Sequence, residues 1–276
     1  MEDNSPERLR EVAEQLAAEA ADFVAKRRTE VIEAGSAAVR TKSSRTDPVT
    51  VADTETEQLL RDRLARIRPG DPILGEEGGG PTAGGSVRWV IDPIDGTVNF
   101  LYGIPAYAVS VAAQIDGESV AGAVADVAHG LIYSAARGLG AHVVIGGERR
   151  QLRSSQVGEL SMTLLGTGFG YAPQRRAAQA ALLAQLLPAV RDVRRLGSAA
   201  LDLCMVAAGL LDAHYEHGLN EWDWAAGALI AAEAGAVVLL PGADDRGAGL
   251  LLAAAPGVAA QLIEALDRFG GLQPLP

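Results

Sequence analysis

The sequence predicts an α/β protein built as two intimate subdomains, residues 1–155 and 156–276, that share one interface. Three observations predict it. The first half closes in a succession of short β-rich runs, the second half alternates strand and helix periods, and neither a Pro- or Ser-rich linker nor an internal repeat parts them. A length of 276 residues suits one large domain or two smaller ones, at roughly 100–200 residues each.

Residues 7–33 place Leu9, Val12, Leu16, Ala20, Phe23 and Val24 at spacings of three and four with Glu and Arg between them, so an amphipathic helix is expected. Thr54 and Glu57 read as a capping box. A second helix should follow with Leu59, Leu60, Leu64 and Ile67 on its apolar face, stopped by Pro69-Gly70. Strands are then expected at 87–92, 107–115, 119–127, 131–135 and 140–145, forming a largely antiparallel sheet. Beyond residue 155 the run Met162 to Gly166 reads as a strand, 174–187 as a helix, 193–196 as a strand and 198–208 as a helix. A strand at 211–216, a helix at 222–235, strands at 236–240 and 249–254 and a helix at 256–268 complete the series.

Composition narrows the function. Against 24 Lys and Arg stand 35 Asp and Glu, a net charge of −11, the wrong sign for a nucleic-acid partner. With 48% apolar residues the chain has a packed core and is no disordered acidic tail. The single Cys204 closes no internal disulfide, and the acidic start MEDNSPERLREVAEQ lacks the basic start and apolar run of a secretory signal. No stretch approaches the ~18 charge-free apolar residues of a membrane span. A cytoplasmic location without a membrane partner is therefore expected.

Acids at the ends of apolar runs carry the chemistry. Trp89-Val90-Ile91 leads into Asp92-Pro93-Ile94-Asp95-Gly96-Thr97, where Pro93 should stop the ladder and a turn can converge both carboxylates and the Ile94 carbonyl on one point. Such an oxygen half-shell suits Mg²⁺, which keeps waters and phosphate oxygens as its other ligands. Gly96 permits close backbone approach, the Gly96 and Thr97 amides can receive a phosphate oxygen, and the Thr97 hydroxyl would stand beside the metal. The same design recurs at Glu76-Glu77 after Ile73-Leu74-Gly75, at Asp53, and at Tyr215-Glu216 with Trp222-Asp223. Paired metals can stabilise the entering and leaving oxygens of an in-line displacement, so no Ser, His or Cys nucleophile is needed. His129, His142, His214 and His217 show no HExxH spacing and read as surface or structural groups.

In Gly75 to Glu77, Trp89 to Phe100 (WVIDPIDGTVNF), Trp222 to Gly227 (WDWAAG), Lys42 to Asp53 and Leu196 to Leu203 (LGSAALDL), the sequence resembles the inositol monophosphatase family of Mg²⁺-dependent, lithium-sensitive phosphatases. The resemblance implies a layered αβαβα sandwich, often dimeric, and hydrolysis of a small phosphate monoester such as inositol 1-phosphate. It implies that Glu76, Asp92 and the Ile94 carbonyl hold one Mg²⁺ and that Asp92, Asp95 and Asp223 hold a second, with a third loosely bound near Glu76. Thr97 and Glu76 would activate the attacking water, with Asp53 hydrogen-bonded to Thr97. The Gly96 and Thr97 amides would bind phosphate, Lys42 would lie near it, and Gly197, Ser198, Ala199 and Glu216 would face the polyol. Gly78 stands where Ser or Thr is frequent in the family.

Other readings compete. A phospho-aspartyl phosphatase has one residue between its aspartates where this chain has two, Pro93 and Ile94. Gly166-Thr167-Gly168-Phe169-Gly170 looks like a nucleotide loop, but Tyr171 stands where a dinucleotide fingerprint needs its third glycine. The same metal core could serve fructose 1,6-bisphosphate, histidinol phosphate or a nucleotide 3′-phosphate, and some bacterial relatives act as binding proteins in transcription. The apolar strands 119–127 and 140–145 fit either dimer-interface material or plain core.

Overall fold

A computed structural model describes residues 3–34, 39–42, 48–81, 86–242 and 249–275. Ser43 to Asp47 of the Lys42–Asp53 motif, and Thr82 to Gly85 of the glycine-rich loop, lie outside the described residues.

The N-terminal helix α1 spans Pro6–Ala34. A short hairpin of β1 (Val39–Thr41) and β2 (Pro48–Thr50) leads into α2 (Val51–Ile67). The capping box of α2 falls at Thr50 and Asp53, one turn before the expected Thr54 and Glu57. A carboxylate three residues after the Thr serves in either frame, and β2 ends on Thr50 with the extended backbone that an N-cap requires. Glu57 is thereby released for another task.

Next come β3 (Ile73–Gly75), β4 (Arg88–Asp95), the short helix α3 (Thr97–Tyr102), β5 (Ala108–Ile115), β6 (Glu118–Asp126), β7 (Leu131–Ala136), β8 (Ala141–Ile145) and β9 (Glu148–Gln151). Strands β3 to β9 make a seven-stranded sheet in sequence order, antiparallel except for the parallel pair β3–β4. The C-terminal half contributes β10 (Leu164–Thr167), α4 (Pro173–Leu186), β11 (Asp192–Arg194), α5 (Ala199–Ala207), β12 (Ala213–His217), α6 (Glu221–Glu233), β13 (Val237–Leu239), β14 (Leu250–Ala254) and α7 (Pro256–Arg268). Its five strands run in the order β11-β10-β12-β14-β13.

The layers follow from which faces are apolar. Leu9, Val12, Leu16 and Val24 of α1 and Leu60 and Leu64 of α2 cover one face of the large sheet, against Trp89, Ile91, Val109 and Val111. Helices α5 and α6 cover its other face through Leu201, Cys204, Ala226 and Ile230, and their far sides meet the small sheet at Leu203, Val206, Leu251 and Ala253. Leu182, Leu186, Leu262 and Leu266 of α4 and α7 close the small sheet's outer face. The result is the layered αβαβα sandwich. Strand β6 lies between β5 and β7, under α1 on one face and α6 on the other, and six of its nine residues are fully apolar and buried or small. It is core, which is one of the two readings the sequence left open for 119–127.

Candidate active site

Strand β4 carries the central carboxylates by a device that the sequence alone conceals. Asp92 pairs with Ser110 of β5 and Asp95 with Ala108, so three steps along β4 match two along β5. Pro93 interrupts the ladder without ending it. Because the extra residue is a β-bulge, and directly opposed residues share a face, the bulge puts Asp92 and Asp95 on the same side of the sheet. A regular strand would have sent residues three apart to opposite faces.

Each acid is then held by its own partners. The Ile94 amide donates to Asp92 Oδ1 (3.0 Å). Ser198 Oγ and the Ala200 amide both donate to Asp95 Oδ2 (2.7 Å each). Asp223, at the third position of α6, accepts from the Asn220 amide (2.6 Å), so the carboxylate that caps the helix also faces the cavity. Gly96, left-handed at φ 96°, turns the chain into α3, and a Cβ there would stand 2.8 Å from the Ala106 carbonyl. Thr97 Oγ1 lies 2.9 Å from Asp53 Oδ1 and 3.1 Å from the Ile94 carbonyl, as expected for Asp53.

Glu57, buried on α2, holds the Glu76 loop. It accepts from the Glu77 amide (2.7 Å), the Gly78 amide (2.8 Å) and Arg61 Nε (2.8 Å). A Cβ on Gly78 would come within 2.7 Å of the Glu57 carboxyl, which accounts for glycine where Ser or Thr was the family expectation. Hydrogen bonds to a charged group contribute about 1.5–3 kcal/mol each. Glu57→Ala is therefore expected to lower unfolding stability by about 3 kcal/mol and to loosen the Glu76 loop, as read by urea denaturation and hydrogen exchange of the Glu77 and Gly78 amides.

One cavity gathers Glu76, Asp92, Ile94, Asp95, Gly96, Thr97, Gly197, Ala199, Glu216 and Asp223. Three expected site residues stand elsewhere. Ser198 is buried behind Asp95 as the N-cap of α5 and does not line the cavity; its hydroxyl also accepts from the Leu201 amide (3.3 Å). Asp53 acts through Thr97, and Lys42 Nζ pairs with Glu76 (2.7 Å) and Glu77 (2.5 Å). Sequence reasoning did not assign Gly168, Phe169, Tyr171, Arg195 and Leu219 to the site, although all line the cavity; they come from loops after β10, β11 and β12, and the glycine run that holds Gly168 and Phe169 pointed to a nucleotide loop instead.

The electrostatics are those of crowded, dry acids. Burial raises the pKa of Asp92 well above the carboxylate range, and Glu76, Asp95 and Asp223 raise it further. Asp223 is raised well above that range too, by burial and then by Glu76 and Asp95. Asp95 is pushed up to about 6 by burial, against the opposing hydrogen bonds from Ser198 and Ala200. Glu76 is raised by burial although Lys42 opposes it. Burial works against the Lys42 ammonium, but the two glutamates outweigh it and its pKa rises.

The donor set tests whether divalent cations fit. It consists of oxygens alone, four carboxylates and a carbonyl around one cavity, and their mutual repulsion in a buried setting is what bound cations relieve. Among the described residues no three His, Cys, Asp or Glu side chains are gathered into a ready-made shell. The acids stand around the cavity, each tied to its own partners, and the donor chemistry fits a hard cation.

A model of the inositol monophosphatase family matches residues 5–269. The inositol-1-monophosphatase of Mycobacterium leprae is 67% identical over 285 residues, covering 99% of this chain and 98% of that protein. The solved structure of Mycobacterium tuberculosis SuhB superposes with a TM-score of 0.85 at 62% identity, over 98% of this chain and 100% of that one. A Nus factor SuhB of Pasteurella multocida is 39% identical over 200 residues, 72% of this chain and 73% of that protein.

Proposed function

We propose that this chain, which belongs to the inositol monophosphatase family, hydrolyses inositol 1-phosphate to inositol and phosphate in the cavity between β4, α5, β12 and α6. It is a metal-dependent phosphatase, Mg²⁺ being the family's usual ion. One observation carries the substrate: the acids Glu76, Asp92, Asp95 and Asp223 line the same cavity as Glu216, Gly197 and Ala199, against which a polyol would lie.

Glu76, Asp92, Asp95, Asp223 and the Ile94 carbonyl would hold two or three Mg²⁺. When bound, the cations supply Lewis acidity and charge neutralisation for in-line displacement at phosphorus. The remaining work falls to the chain. The Gly96 and Thr97 amides bind phosphate oxygens. Thr97 has one hydroxyl proton and two acceptors in reach; giving it to Asp53 leaves the Ile94 carbonyl free for a cation and a Thr97 lone pair to orient the attacking water. Glu76 takes the proton of that water, and Glu216 and Asp223 accept hydrogen bonds from the polyol hydroxyls. Lys42, released from Glu76, would face the phosphate.

Among the described residues no helix is long and apolar enough to cross a membrane, and a cytoplasmic location belongs to the proposal. So does the division into subdomains 1–155 and 156–276, which falls between the last strand of the large sheet and the first of the small one. A homodimer and lithium sensitivity complete it. Exposed Tyr102 and Ile104 beside Val98 and Leu101 offer an apolar contact face. Sedimentation and Li⁺ titration test these points.

The deciding experiment compares phosphate monoesters in Mg²⁺: inositol 1-phosphate, fructose 1,6-bisphosphate, histidinol phosphate and adenosine 3′,5′-bisphosphate. Inositol 1-phosphate should show the highest kcat/KM, and a chelator should abolish turnover; another ester preferred by about tenfold or more would overturn the substrate. A second reading, a non-catalytic binding role, is favoured by the printed name of the Pasteurella multocida relative, a Nus factor. It should survive the loss of Asp92.

A further inference from the structure

We infer that His214 is a positioning residue for Glu216: with Asp202 behind it, the buried imidazole aims the Glu216 carboxyl at the substrate's polyol hydroxyls. The inference rests on the reading of Glu216 as polyol-facing.

Strand β12 places His214 and Glu216 two residues apart, hence on one face, which looks toward α5 and its Asp202. His214 Nδ1 stands 3.7 Å from Asp202 Oδ2, and Nε2 stands 3.6 Å from Glu216 Oε2. The ring and Asp202 are essentially without solvent contact. Both ring nitrogens and Asp202 Oδ1 lack hydrogen-bond partners. Unpartnered buried polar atoms are costly, and three side by side call for a reason. A line running Asp202, His214, Glu216 satisfies both nitrogens if the acids close by a few tenths of an ångström. Burial pushes the imidazole down to about 3 and Glu216 up to about 8. A neutral ring has one donor and one acceptor, so it can link one carboxylate and one carboxylic acid.

A second observation comes from the neighbouring strand. Gly166 of β10 pairs with His214, and a Cβ on it would lie 3.0 Å from His214 Nδ1. A Cβ on Gly168 would fall 2.0–2.2 Å from the Glu216 carboxyl atoms. The two glycines of the run that resembled a nucleotide loop thus leave room for the ring and for the carboxyl that it meets. A structural histidine needs only volume; a positioning histidine needs its nitrogens.

The test uses the Mg²⁺-loaded full chain and two substrates, inositol 1-phosphate and phenyl phosphate, which has no polyol hydroxyls. His214→Phe should raise KM for inositol 1-phosphate about tenfold, with a smaller change in kcat, and the increase should be confined to that substrate. His214→Gln, whose amide can reach the Nε2 position, should restore most of the loss, whereas His214→Asn, which mimics Nδ1, should not. This Gln and Asn contrast carries the test if the Phe variant fails to fold. The same fold-change in KM for the two esters, or none for either, in all three variants, while Glu216→Gln raises KM for inositol 1-phosphate, would overturn the role of His214 alone. An unchanged KM in Glu216→Gln would instead overturn the polyol reading on which the inference rests. Ring ¹⁵N shifts of the unaltered protein should show His214 neutral in a single tautomer; a mixture of tautomers would also refute it.

Discussion

Asp92→Asn is expected to lower kcat by about a thousandfold or more while raising the thermal stability of the protein stripped of divalent cations. Both effects have one cause. Asp92 is 1% exposed, and its charged form is opposed by burial and by Glu76, Asp95 and Asp223. Asparagine keeps the oxygen that accepts from the Ile94 amide and removes the charge, so repulsion in the empty cluster falls and the fold gains. The same change removes the carboxylate common to both proposed cation sites. Calorimetry should show a higher Tm without Mg²⁺ and a smaller rise on adding it, and a phosphate-release assay should show the loss of kcat. Retained Mg²⁺-dependent hydrolysis would refute the site assignment. A binding role that persisted in this variant would establish a second function independent of catalysis.

The second large effect is a pH dependence of unusual sign. Burial raises Asp53 to about 6, against the hydrogen bonds from Thr50 and Thr97, and raises Glu216 to about 8, with Asp95 adding to it. An acid whose folded pKa exceeds its unfolded value is protonated in the native state while already charged in the unfolded chain. The native state then binds more protons, and stability falls as pH rises. For Asp53 the fall runs from the ordinary aspartate value of 3.8 to about 6, and for Glu216 from the ordinary glutamate value of 4.5 to about 8. Chelated protein should therefore melt at progressively lower temperature from pH 5 to pH 8, and saturating Mg²⁺ should flatten the profile by favouring the charged acids. A Tm that rose over this range in the chelator would contradict the burial of these groups as charged-form penalties.

Much of this was legible in the sequence because it is local. Alternation and helical spacing placed most elements within a few residues, and the runs ending in Glu76, Asp92, Glu216 and Asp223 marked where acids leave strands or open helices. Where a local rule had two frames, as with Thr50–Asp53 against Thr54–Glu57, the choice fell to the strand that precedes the helix. The hairpin β1–β2 and strand β9 escaped notice; β9, Glu148–Gln151, is exposed throughout and has no apolar residue to alternate with its polar ones.

Sequence by itself determined the chemistry: which oxygens are available, that glycines stand beside them, and that an ordered set of motifs places the chain with metal-dependent phosphatases. Only the tertiary structure decided how those groups are used. It turned Asp92 and Asp95 onto one face through a bulge in register with β5, drew Ser198 away from the polyol to hold Asp95, assigned Glu57 to the Glu76 loop, and set His214 between Asp202 and Glu216. The reason is physical: side-chain chemistry is a property of the residue, whereas burial, register and the partner across a sheet depend on segments distant in the chain.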